Sequence, residues 1–227
     1  MIRKAIAAAL TVAAITEVTL FVTGAVNMPL TKNDLKTDVE EIAEKETVYI
    51  SDGVFSEYIT VVGKASEKDI SELEAAIAEV AGKKVNGFYE AEGMVFITDK
   101  KISDILKENF GYAYDQENTV KGFYIMAEGG RPQIWVSSGT NNLKEVALHE
   151  FGHYTDENNG WISGTGEFLG IFESEKGSFS EKIDSRGYNT GNEVEYFAEC
   201  FSLYMNGSEI FKESCPETYK FIENMNS

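Results

Sequence analysis

The segment Leu148-His149-Glu150-Phe151-Gly152-His153 contains the only two histidines of a 227-residue chain, four positions apart with a glutamate after the first. Two histidines placed at random fall at that spacing on the order of once in a hundred, before any glutamate is required between them. On a helix, residues four apart project from one face about one turn from each other, so both imidazoles can reach one ion. Neutral imidazole nitrogens suit Zn²⁺ at roughly 2.0–2.1 Å, and Glu150 can stand beside a water at the ion and take its proton. Leu143, Val146, Ala147, Phe151 and Tyr154 give such a helix an apolar stripe to bury. The same pattern does arise by chance on helices that hold no metal, so its weight here comes from the histidine count.

A zinc ion that activates water takes three protein ligands and keeps one position open. With no histidine left, the third ligand is expected to be a carboxylate. Asn192-Glu193-Val194-Glu195-Tyr196-Phe197-Ala198-Glu199 supplies the best candidates: Val194, Phe197, Ala198, Phe201 and Met205 form a helical apolar stripe, and Glu195 and Glu199 share another face. Two carboxylates at i, i+4 repel unless a cation or donors lie nearby. A solvated acidic face is the plain alternative; beside the histidines, Glu195 is favoured as a ligand and Glu199 as an acceptor that orients a ligating imidazole.

Around this motif the chain reads as an α+β domain. Strands are expected at 49–50, 58–62, 94–98, 123–126 and 133–137, with helices at 66–81 and 101–110 among them; after Gly139 come helices at 143–156, 167–176, 192–205 and 216–225. A small mixed sheet in the first half and a helical second half carrying the metal motif make one domain over 47–227. Residues 26–46 are a polar leader or surface helix. The first 25 residues read as an export signal: Arg3 and Lys4 precede an apolar run, and Thr23-Gly24-Ala25 offers small residues for cleavage. The chain is accordingly expected to be secreted, with no stable membrane association once the signal is removed; an uncleaved N-terminal anchor is the alternative, disfavoured by Glu17 within the apolar stretch. A formal charge of −18 repels phosphate backbones, which argues against nucleic acid as a partner. Cys200 and Cys215 are the only cysteines; two cannot build a zinc ribbon, and they read as structural thiols, with a bridge between them open in an oxidising compartment.

HEFGHYTD at 149–156, Tyr188 seven residues before Glu195, EYFAE at 195–199 and CPETYKFIENM at 215–225 resemble the anthrax lethal factor-like metallopeptidases, a family that includes secreted Pro-Pro endopeptidases. The resemblance is specific over roughly the last 90 residues and weak from Val48 to Ser138. It implies a zincin-like fold, one Zn²⁺ per chain on His149, His153 and Glu195, Glu150 as general base, and Tyr188 as donor to the tetrahedral intermediate. Asp156 matches an acidic position of the family. Its charge near a helix C-terminus opposes the dipole, which predicts a specific partner. Tyr154-Thr155 depart from the small apolar residues usual there, and the loop that sets proline preference cannot be placed, so proline specificity is not carried over.

The resulting expectation is a secreted zinc endopeptidase acting on a peptide or protein substrate. The rival is a non-catalytic secreted binding protein that keeps zinc in a peptidase-like fold. The strand at 133–138, just before the metal helix, is expected to pair with an extended substrate.

Overall fold

The computed structural model describes residues 18–22, 28–30 and 82 as backbone, and 58–81, 87–111, 120–127, 129–184 and 190–226 in full. Its described strands form one mixed six-stranded sheet in the order β2-β1-β5-β6-β4-β3. These are β1 (Val18–Val22), β2 (Met28–Leu30), β3 (Ile59–Val62), β4 (Met94–Thr98), β5 (Gly122–Ala127) and β6 (Arg131–Ser137). β3, β4 and β6 run parallel, while β5 turns back antiparallel on β6 and β1 lies antiparallel on β5. Of the expected polar leader at 26–46, Met28–Leu30 forms β2, and the rest of it, like the strand expected at 49–50, lies outside the described residues.

Pleating sends alternate residues to opposite faces, and each face has its own helical cover. Phe96, Phe123, Ile125 and Trp135 point to the side of α2 (Ile102–Phe110), where they pack with Ile102, Ile105, Leu106 and Phe110. The Phe96 and Trp135 rings stack there with centroids 4.2 Å apart. Val95, Ile97, Tyr124, Ile134 and Val136 face α1 (Glu67–Gly82) and α3 (Leu143–Asn158) in the larger core.

The metal helix α3 is more enclosed than a one-sided stripe implies. Every residue from Ala147 to Asp156 is buried, because α5 (Glu193–Met205) covers the side that the sheet and α1 leave open. The other helices brace α5: α4 (Gly166–Lys182), α6 (Glu209–Ser214) and α7 (Pro216–Met225). α4 runs past the expected stop at 176. Gly170 and Gly177 weaken it, but Phe179 is fully buried against Tyr196, with ring centroids 5.0 Å apart, and this packing outweighs glycine propensity.

The strand-addition expectation for 133–138 is corrected by the topology. β6 is an interior strand, hydrogen-bonded to β4 on one side and β5 on the other, so it has no edge to offer a substrate. The strand on the other side of β5 is β1, which lies within the segment read as an export signal.

One clasp ties α1 to the approach to α3. Ser66 and Asp69 form a reciprocal cap, in which Asp69 accepts from Ser66 N at 3.1 Å and Ser66 Oγ at 2.8 Å, while Ser66 Oγ accepts from Asp69 N at 3.1 Å. The other carboxylate oxygen of Asp69 accepts from Gly139 N at 3.3 Å, in the loop between β6 and α3. We expect Asp69→Ala to lower stability by about 1–2 kcal/mol in denaturant titration, the usual worth of a helix cap; an unchanged midpoint would show that the clasp contributes nothing.

Candidate metal centre

α3 carries His149, Glu150 and His153, and α5 meets them with Glu195. Nε2 of His149 lies 3.1 Å from Nε2 of His153 and 3.3 Å from Glu195 Oε2, and His153 Nε2 lies 3.7 Å from Glu195 Oε1. All three side chains are buried, and one donor atom from each falls within 4.8 Å of the others. Glu195 Oε2 is buried and makes no well-formed hydrogen bond, with His149 Nε2 facing it at 3.3 Å. A cation held between this oxygen and the two imidazoles would satisfy all three donor atoms at once. Two imidazoles and one carboxylate are also the donor set that suits Zn²⁺ while leaving a fourth position open.

The convergence depends on how closely α3 and α5 pack. A Cβ on Gly152 would lie 2.7 Å from Ala198 Cα and 2.9 Å from its carbonyl oxygen, so the two backbones touch where any side chain would hold them apart. Gly152 adjoins His153, and Ala198 lies one turn after Glu195. The first turn of α5 is set by Asn192, whose Oδ1 accepts from Glu195 N at 2.8 Å. Within a capping box the glutamate at this position turns back to the cap; here Glu195 turns to the histidines.

Glu199, one turn further along α5, accepts from His149 Nδ1 at 3.0 Å. That bond fixes the ring orientation and leaves Nε2 facing the centre. Burial alone favours neutral imidazole, but the Glu195 and Glu199 carboxylates, aided by the charge of Glu150, outweigh it and hold the His149 pKa well above its ordinary value. His153, buried and facing the His149 charge, is held well below its ordinary value.

Asp156 has the partner its position suggested. Its carboxylate accepts from Ser163 N at 2.8 Å and from Ser163 Oγ at 2.5 Å, which anchors the 3-10 turn Ile162–Gly164. Burial pushes the Asp156 carboxyl up to about 6, against the Ser163 bonds that lower it. Tyr188 lies outside the described residues. Cys200 and Cys215 are both buried and free. The residues that sequence reasoning passed over are Gly152, Asn192 and Glu175. Glu175 accepts from the backbone of Glu217 and Thr218 and from Thr218 Oγ1, which in turn contacts Tyr196 OH at 2.9 Å, so it fixes α5 through α7. Asn192 was legible as an N-cap; nothing in the sequence singles out Glu175.

Two outcomes follow for metal binding. Glu199→Ala should weaken zinc affinity by about 10- to 100-fold, the range for losing an outer partner of a ligating imidazole, and unchanged affinity would remove Glu199 from the centre. Because the carboxylates hold the His149 pKa above its ordinary value and an imidazole must give up its proton to ligate, zinc uptake should release protons and affinity should fall on acidification. Calorimetry in buffers of differing ionisation enthalpy measures this directly, and no proton release would contradict it.

Comparison with known proteins bears on the fold and the family. The chain is 24% identical over 198 residues to the Lethal factor of Bacillus anthracis, across 79% of this chain and 24% of that protein. It is 37% identical over 93 residues to the Pro-Pro endopeptidase of Paenibacillus alvei, across 38% of this chain and 40% of that protein. The chain thus spans less than half the length of either curated relative. The solved structure of the Paenibacillus alvei Pro-Pro endopeptidase matches with a TM-score of 0.58 at 21% identity, covering 76% of this chain and 100% of that one, a likeness that confirms the α+β, zincin-like fold. The family described as Anthrax toxin lethal factor, N- and C-terminal domain, matches residues 29–225, from β2 to the last helix, and the chain belongs to that family.

Proposed function

We propose that this protein is a secreted zinc endopeptidase whose metal is held by His149, His153 and Glu195, with Glu150 as general base. The observation that carries the reading is the convergence of those three side chains on one buried point, with Glu150 next to the first ligand on the same helix. A purely structural zinc site closes its coordination with four protein ligands and needs no base, whereas the described residues supply three ligands and a fully buried glutamate beside them.

Zinc, when bound there, polarises a carbonyl as a Lewis acid and lowers the pKa of a water at the site. The protein's own groups do the rest. Glu150 accepts the proton of the attacking water and returns it to the leaving amine, so its carboxylate is regenerated in each turnover. Glu199 keeps His149 in the tautomer whose Nε2 faces the centre. Tyr188, by its match to the family, donates its phenol hydrogen to the oxyanion that develops on the scissile carbonyl. No covalent enzyme intermediate is needed.

An extended peptide is the substrate form that fits the sheet. The outer side of β5 pairs with β1 in antiparallel register, Leu20 opposite Ile125 and Val22 opposite Phe123, which supports strand addition at this edge in place of β6. β1 belongs to the segment whose removal on export the sequence predicts, and its loss would free the edge beside Glu150. The charge of −18 favours cationic or neutral peptides and disfavours nucleic acid.

The test pairs zinc content with cleavage of a peptide library. Glu150→Gln should keep one zinc and lose about 100- to 10,000-fold in cleavage rate, the usual share of general acid–base catalysis. His153→Ala should lose both zinc and cleavage. Parent-level cutting by Glu150→Gln would refute the assignment of the base, and a zinc-loaded parent that cuts nothing in the library would favour a binding protein.

A further inference from the structure

Gly122 opens β5 at a buried position, opposite Val136 of β6. Glycine inside a strand weakens it, through both backbone entropy and the lack of a side chain to pack. Where the backbone needs a positive φ that weakness is compensated, but Gly122 is not among the positive-φ glycines of the described chain. The reason for glycine lies instead in what occupies the side-chain space. A Cβ at position 122 would stand 2.8 Å from Glu150 Oε1, 2.8 Å from Val146 Cγ1 and 3.1 Å from the Trp135 carbonyl oxygen. Carbon and oxygen in ordinary contact stay well beyond these distances, so Glu150 and a side chain at 122 cannot share this space as it stands.

We propose that Gly122 is a positioning residue for Glu150: the carboxylate is seated in the volume that any other residue at the head of β5 would fill. The inference rests on Glu150 being the general base. Its consequence is that the base is held against the strand proposed to receive the substrate, so one backbone sets both the line of the peptide and the place of the carboxylate. α3 cannot relieve the crowding by shifting as a body, because its far side is in backbone contact with Ala198 through Gly152. A residue larger than glycine must therefore move the Glu150 carboxylate or Val146.

The experiment is a double-mutant cycle on the library peptide that the parent cuts best. Gly122→Ala is measured in the parent and in the Glu150→Asp background, where the shorter carboxylate withdraws from the crowded space. A misplacement of ~1 Å can reduce turnover by on the order of 100-fold. We expect Gly122→Ala to lower kcat by at least about tenfold in the parent, with zinc stoichiometry kept, and by less than about threefold in Glu150→Asp, a non-additivity that reports coupling between the two positions. Gly122→Ala/Val146→Ala removes the competing contact, and it should remain folded and as slow as Gly122→Ala alone. A zinc-loaded crystal structure of the double variant supplies a readout independent of rate: the Glu150 carboxylate should be displaced while His149, His153 and Glu195 keep their places. Equal losses in both backgrounds, parent-like kcat in Gly122→Ala, or an unmoved carboxylate would overturn the proposal. Full activity of Glu150→Ala would instead refute the general-base reading on which it rests, so the two failures are distinguishable.

Discussion

The backbone contact between α3 and α5 at Gly152 and Ala198 is the constraint on which the site depends. Imidazole and carboxylate side chains are short, and two helices separated by ordinary side chains cannot bring them to one point. With no Cβ at 152, the α5 backbone approaches until Glu195 meets both His149 and His153, and Glu199 reaches the far nitrogen of His149. The candidate centre therefore begins with a packing fact: a residue that contributes no atoms to the site allows the others to form it.

The rest of the helical half makes that approach hold. α5 is pinned at its start by Asn192 and at the end of its first turn by Tyr196, whose hydroxyl meets Thr218, while Glu175 gathers three donors from the start of α7. Buried carboxylates such as Glu175 and Asp156 would be costly if left alone; each is matched by backbone and hydroxyl donors, and each ties a different element to the metal helices. The sheet plays the matching role on the other side. β5 and β6 support α3, and Asp69 links α1 to the loop from which α3 starts.

What the sequence disclosed was chemistry in residue types at fixed spacing. His149, Glu150 and His153 were legible because the helix repeat converts a spacing of four into one face, and Glu195 with Glu199 because paired carboxylates on an otherwise apolar helix call for a cation. The α+β class followed from the change of periodicity near Gly139, and α7 from Pro216 at its first position. Shape was not legible. Gly152 and Gly122 read as ordinary glycines until the neighbours of their missing side chains are known. Glu175 is one acid among 38 until its donors are seen. The expectation that 133–138 receives a substrate failed for a similar reason: alternation identifies a strand, but only pairing partners reveal whether it is an edge. α4 outran its expected end because burial of Phe179 overrides the two glycines within the helix.

The most direct test of a catalytic metal centre is a reconstitution titration. The purified protein is stripped of metal with a chelator, and zinc is returned in sub-stoichiometric steps while library cleavage is followed. If His149, His153 and Glu195 hold the working ion, cleavage should be absent without metal, rise in proportion to added zinc and level off at about one equivalent, as a single three-ligand site requires. Cleavage that survives metal removal, or that stays absent after one equivalent has bound, would contradict the assignment.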